Sequence, residues 1–422
     1  MIDQVIESED TGSAGAYATS FGMASRSPFV VKWFAFGLTR LIGAFLVMGV
    51  LPYSARLDVT SDLKLYSVYA RLLQSGHLPY RDFDIEYPPG ILPFLTLPSH
   101  SWREFRAEFL AVALLADAAV LSLLMWSGRD RGSWVWLAAP VLVGPVWWSR
   151  LDVFVAAALV AAVVAWERRR PMAAGVLIAI GALLKLWPAL LLLAVTFAFR
   201  MRRERRRLII GATVTTVAAV APLSAMRGTV GLFHTLRFHE QRGLEIESVA
   251  AVPLHVYQAI RGALPLNRDF GSVDFARPLS EPFLLTAEIG TLLVWAVFLS
   301  ALYIRPPRRA SVSSVLLVLV ALTLATSKVL SPQYDLWLAA GVAVAIDDLE
   351  RKTRLLFATA VVFVSSQMLY PFLFRESVNG SLLALAVVLV HAASVLAVAW
   401  TCVGELHGPA STRPDEILPT CG

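Results

Sequence analysis

Charge is what this sequence has least of. Of its 422 residues only 16% are Asp, Glu, Lys or Arg, while 57% are hydrophobic. Soluble domains carry about 25% charged residues. The mean hydropathy of +0.64 is too high for one water-facing core. The soluble classes are thereby excluded, and an all-α polytopic membrane protein is expected. Cysteine is almost absent. Cys402 lies in the last apolar run and Cys421 in the tail, a pair without metal-site spacing and unsuited to a disulfide framework. No P-loop, GxSxG or GxGxxG signature stands out. The first 28 residues have no basic leader and no small-residue cleavage site, so they are expected to form a disordered cytoplasmic tail. Residues 405–422 read the same way. No convincing internal repeat is present, although inverted-repeat transporters often show one.

What charge there is falls in a pattern. The net charge is +6, and arginines cluster in Arg168–Arg170, Arg202–Arg207 and Arg305–Arg309, between apolar runs. Such blocks mark cytoplasmic loops rather than nucleic-acid contacts, so no nucleic-acid partner is expected. Apolar runs near 33–53, 107–126, 134–148, 151–167, 172–186, 187–200, 208–225, 283–304, 312–328, 332–347, 355–373 and 381–403 predict about twelve crossings. Keeping every arginine block inside requires 172–200 to turn back at Lys185-Leu186-Trp187-Pro188, its tip outward, with Pro188 breaking the helix. One membrane domain, 29–404, is then expected in the plasma membrane, with loops 54–106 and 226–282 on the external face. Residues 62–75 carry Leu63, Tyr66, Tyr69 or Ala70, and Leu73 at helical spacing, which predicts an amphipathic helix on that surface. The short run 91–98, with Pro93 and Pro98, predicts a juxtamembrane or re-entrant piece.

Both external loops are rich in chemistry-bearing residues. The first holds Asp58, Asp62, Asp82, Asp84 and Glu86, with a stiff Tyr87-Pro88-Pro89-Gly90 turn. Asp62 fits a general base, and equally a helix start favoured by Ser61 and negative charge. Asp58 and Glu86 compete for the role. Arg150 and Asp152 sit at an external turn, where they bind a substrate or simply pair. Lys185 and Lys328 lie on the side opposite the arginine blocks, against the positive-inside bias, which favours an anionic ligand. Gln333 and Tyr334 open the next apolar run. The second loop carries His234, Arg237, His239, Glu240, Arg242, Glu245 and Glu247, either a solvated face or a phosphate site built on Arg242. No recognised metal spacing appears among these, so no cofactor is expected, and a divalent metal has no support.

The order Asp62-Leu63-Lys64-Leu65-Tyr66, Tyr87-Pro88-Pro89, Arg150-Leu151-Asp152, Lys185-Leu186-Trp187-Pro188, Arg242 to Ser248 and Ser331-Pro332-Gln333-Tyr334 resembles the membrane glycosyltransferases of the C-type fold. The group it is most similar to is glycosyltransferase family 87, polyprenyl-phosphate-mannose-dependent α-mannosyltransferases of actinobacterial type. The resemblance implies a sugar donor on polyprenyl phosphate, transfer on the external face with inversion, and Asp62 as general base. It implies an acceptor that is a glycolipid or cell-envelope glycan. Arg242, Lys185 and Lys328 are the cations expected at the phosphate, in that order. Asp58, so close to Asp62, keeps the identity of the base open. The alternative is a transporter or flippase of an anionic lipid-linked sugar, which would gather its polar groups at the bilayer midplane.

Overall fold

The computed structural model describes residues 27–53, 58–199, 201–225, 229–269, 271–304 and 311–406. The two tails, apart from their inner ends, and the 305–309 basic block lie outside these. The fold is helical: α1 Ser27–Val47, α2 Ser61–Gln74, α3 Trp102–Trp126, α4 Asp130–Val143, α5 Asp152–Glu167, α6 Pro171–Leu184, α7 Pro188–Ala198, α8 Arg202–Ala225, α9 Thr229–Gln241, α10 Val252–Arg261, α11 Glu281–Ile304, α12 Val312–Thr326, α13 Asp335–Ala345, α14 Lys352–Gln367 and α15 Leu382–Leu406. A small antiparallel sheet, β1 Leu244–Glu245, β2 Leu266–Asn267 and β3 Asp274–Phe275, is ordered β1-β3-β2.

Six helices among the described residues are long and apolar enough to cross a bilayer: those at 28–47, 102–126, 202–225, 281–304, 352–372 and 382–405. Six is fewer than the about twelve crossings expected. The other predicted spans are helical but short. Even α5, with 16 residues, rises only about 24 Å, under the ~30 Å of hydrocarbon. Several of these short helices are apolar on every face and lie in the bundle's interior, as such helices do. All eleven residues of α13 are buried. The apolar runs thus marked a protein-filled core as often as a lipid-facing span.

Two further features fix the frame. Arg40 of α1 and Asp117 of α3 form a buried pair, Nε to Oδ2 3.0 Å and Nη2 to Oδ1 3.1 Å. The indoles of Trp136 and Trp148 donate to the same carboxylate at 2.7 and 2.8 Å. Arg40 also donates to the Trp136 and Leu137 carbonyls, both at 3.0 Å. A charge in hydrocarbon is costly unless paired, and here both partners are well satisfied. The second feature is the α6–α7 hairpin. Its turn at Lys185–Trp187 lies against loops 54–106 and 226–282, and the returning chain brings Phe199 against Trp166, ring centroids 5.2 Å apart. The Tyr87–Gly90 turn packs on this hairpin so closely that a Cβ on Gly90 would lie 2.6 Å from the Leu183 carbonyl. Only glycine fits there. Beyond the turn, a single helical turn over Leu92–Leu95 buries Ile91 and Leu95, where the juxtamembrane piece was expected.

Candidate active site

The α2 helix is amphipathic, burying Leu63, Tyr66, Ser67 and Ala70. Its first turn projects Asp62 into a cavity of about 420 Å³. The walls come from the Glu86–Pro88 turn, the α4–α5 turn, the α6–α7 turn, the end of α9, the small sheet and residues 331–333. Of the residues singled out in the sequence, Asp62, Glu86, Tyr87, Arg150, Lys185, His239, Arg242, Glu247 and Gln333 all line this one space.

Asp62 is held from two sides. Arg150 Nε lies 3.0 Å from Oδ2, and the Tyr87 hydroxyl donates to the same oxygen at 3.2 Å. Arg150 is itself fixed by Gln333 Oε1 at 2.9 Å and by the Val59 and Ser149 carbonyls at 3.3 Å. Among the described residues nothing donates to Asp62 Oδ1, and the side chain keeps 23% exposure. One oxygen is thus anchored while the side chain still lines the cavity, an arrangement suited to a proton acceptor.

Two cations line the same cavity. Lys185 stands 5.1 Å over the Tyr87 ring and 3.6 Å from the buried Asp152 carboxylate. Arg242 is 9% exposed, with Nη2 3.7 Å from Glu245 and a buried Nε that has no partner among the described residues. Glu245 is turned away from the cavity centre by Leu330 N at 2.7 Å and Ser331 Oγ at 2.9 Å, which dock the sheet on the 328–333 segment. Asp274 accepts from Gly243 N at 2.9 Å and so shapes the bend carrying Arg242.

The electrostatics follow from burial. Glu86 is raised to about 7 by desolvation and by Asp62, against the pull of Lys185 and Arg242. His239 is lowered to about 4 by desolvation and then by Lys185, Arg242 and Lys328, so it is neutral near pH 7. Glu247 is pushed well above the usual carboxyl range by desolvation and the neighbouring Glu245 and Asp335. Its Oε1 is buried without a partner among the described residues.

Other singled-out residues lie elsewhere. Asp58 does not line the cavity. It pairs with Lys64 at 2.5 Å and accepts from Thr60 N at 2.9 Å. Burial lifts its pKa, but the Lys64 and Thr60 contacts together outweigh that and leave it lowered. Lys328 is also outside, in an ion pair with Glu288 at 2.6 Å. The third cation expected at the phosphate is thus neutralised in a structural contact. Tyr66 is fully buried beneath the floor, edge-on to Tyr87 at 5.3 Å. Tyr334 stacks on Trp337 at 3.9 Å, behind the wall. Among the wall residues that sequence reading missed are Arg268, Ser272, Tyr370 and Phe374. Arg268 and Ser272 carried a weak signal, since they belong to loop 226–282, already rich in charge. Tyr370 and Phe374 carried none, being aromatics at the end of an apolar run. Among the described residues, no three His, Cys, Asp or Glu side chains are grouped to hold a metal ion.

The family model described as Glycosyltransferase family 87 matches residues 86–332. The chain belongs to glycosyltransferase family 87. It is a multi-pass membrane glycosyltransferase, and family membership carries with it a sugar donor borne on polyprenyl phosphate. No curated protein matches the chain. The matched span of this family 87 enzyme contains Glu86, Arg150, Lys185 and Arg242 but begins after Asp62. The role of Asp62 therefore rests on the geometry above.

Proposed function

We propose that this enzyme moves a sugar, mannose on the family resemblance, from a polyprenyl-phosphate donor to a hydroxyl of a glycolipid or cell-envelope glycan. The observation that carries the reading is Asp62, anchored through Oδ2 and lining one cavity together with Lys185 and Arg242. Asp62 takes the proton as the acceptor oxygen attacks the anomeric carbon from the face opposite the phosphate, so the configuration inverts. The C–O bond to the phosphate breaks, and the departing phosphate gathers charge that Arg242 and Lys185 stabilise. Glu247, its pKa pushed well above the usual carboxyl range by burial, lines the cavity where the sugar would sit.

The external face is the proposed working side. At the opposite end of the bundle, Arg129 pairs with Glu167 at 2.6 Å, and Arg131 and Lys352 meet Asp347. Basic residues mark the cytoplasmic side. Transport is disfavoured because the polar groups gather at one end of the bundle, not around broken helices at its middle.

The test is transfer of label from polyprenyl-phosphate mannose to membrane glycolipid by the purified protein. Asp62→Asn is expected to lower turnover at least about 100-fold, the scale of general-base catalysis, with donor binding retained. Full turnover in that variant would remove Asp62 from the mechanism.

A further inference from the structure

One buried charge takes no part in the proposed chemistry. Asp152, the first residue of α5, is fully buried, and neither carboxylate oxygen accepts a hydrogen bond among the described residues. It does not line the cavity, so it is badly placed to touch a substrate. A carboxylate buried without donors is costly unless a nearby cation offsets it. Among the described residues its salt-bridge partner is Lys185, with Nζ 3.6 Å from Oδ2. Burial pushes the Asp152 carboxyl up, and Lys185 is the strongest of the groups that pull it back, ahead of Arg150 and the Trp337 indole. The Trp337 N–H itself makes no hydrogen bond of good geometry.

Lys185, by contrast, does line the cavity. It follows the last residue of α6 with an extended backbone, φ −145° and ψ 133°, so it has already left the helix. Its ammonium is located by two contacts, the Asp152 carboxylate and the Tyr87 ring 5.1 Å away. The turn that carries it is braced by Trp187, whose ring packs 4.9 Å from that of Trp337. One short piece of chain therefore reaches both ends of the reaction. Arg150 holds Asp62 at 3.0 Å, and two residues later Asp152 meets Lys185, with the fully buried Leu151 between them.

We propose that Asp152 is a positioning residue: it holds the Lys185 ammonium where the donor phosphate binds, and the Arg150–Asp152 turn keeps that ammonium in register with Asp62. The proposal rests on the lipid-phosphate donor of the preceding section.

The test is the affinity of the purified protein for a polyprenyl monophosphate in detergent, followed through double-mutant cycles. Asp152→Asn is expected to weaken binding about tenfold in wild type, and about tenfold again in Arg242→Ala. In Lys185→Met it should change nothing, because Asp152 acts through that one ammonium. Asp152→Ser runs the same cycles should the amide variant not fold. Asp152→Glu, which keeps the charge, should lose less than either. Equal losses in wild type and in Lys185→Met would make Asp152 a packing residue and overturn the proposal. Equal losses for Glu and Asn, or a wild-type affinity that Asp152→Asn leaves unchanged, would overturn it as well. Each of those outcomes leaves the donor reading standing, since the wild type still binds. A wild type with no affinity for polyprenyl monophosphate would overturn both.

Discussion

Glu86 titrates near 7 because its carboxyl is buried next to Asp62 while Lys185 and Arg242 only partly compensate. Below that value it is neutral; above it, a second negative charge faces the donor phosphate. The KM for donor should therefore climb as pH rises through about 7, and Glu86→Gln should flatten the climb. Steady-state kinetics from about pH 6 to 8 would decide it, and a wild-type KM flat across that range would refute the assignment. The same shift bears on stability. Between the ordinary carboxyl range and about 7 the folded chain holds a proton that the unfolded chain has lost, so this contribution fades as pH rises through about 7. Arg242 is the other single residue with a clear expectation. Its Nε is buried without a partner among the described residues, so it has hydrogen-bonding capacity to offer an anion. Arg242→Ala should weaken donor binding about tenfold or more, since hydrogen bonds to charged groups are worth about 1.5–3 kcal/mol. Unchanged donor affinity in a binding assay would leave Arg242 a structural partner of Glu245. Residue types at this scale were legible in the sequence. Asp62, Arg150, Lys185 and Arg242 stood out as charges beside apolar runs, where burial demands a reason. Which of them meet was not legible, and Asp58 stood as a competitor for the base and Lys328 as the third cation until their partners Lys64 and Glu288 were seen.

At the scale of elements, the pin between α1 and α3 governs how the α4–α5 turn is presented. Trp148, held by Asp117, stands two residues before Arg150, which in turn holds Asp62. Breaking one side of a buried ion pair costs about 3–5 kcal/mol, because the survivor stays buried and unpaired. Arg40→Met and Asp117→Leu should each lower the melting temperature in detergent strongly, while the double variant should be less damaged than the sum of the two. Additive losses would show the two charges are independent. Both charges sat in plain view within apolar runs, yet no spacing rule joins positions 77 residues apart. Helix existence was the most readable part of the chain, because 3.6-residue periodicity and proline breaks are local. The α6–α7 turn at Pro188 and the α2 surface helix followed from such local signals.

For the whole molecule, sidedness is the open expectation. In a cysteine-free background, a single cysteine at the exposed Arg268 position should react with an impermeant reagent added to intact cells. One at the exposed Arg131 position should react only after the membrane is opened. The reverse pattern would put the cavity on the cytoplasmic side. Composition by itself determined that this chain lives in a bilayer, since so little charge cannot cover so much apolar surface in water. Motif order pointed to the family, and local periodicity determined the helices. The tertiary structure alone decided how many of those helices are long enough to span, because hydropathy does not tell a side chain buried against protein from one buried against lipid. It alone decided which carboxylates share a cavity with the cations, because ion pairing depends on distances set by packing between turns far apart in the chain.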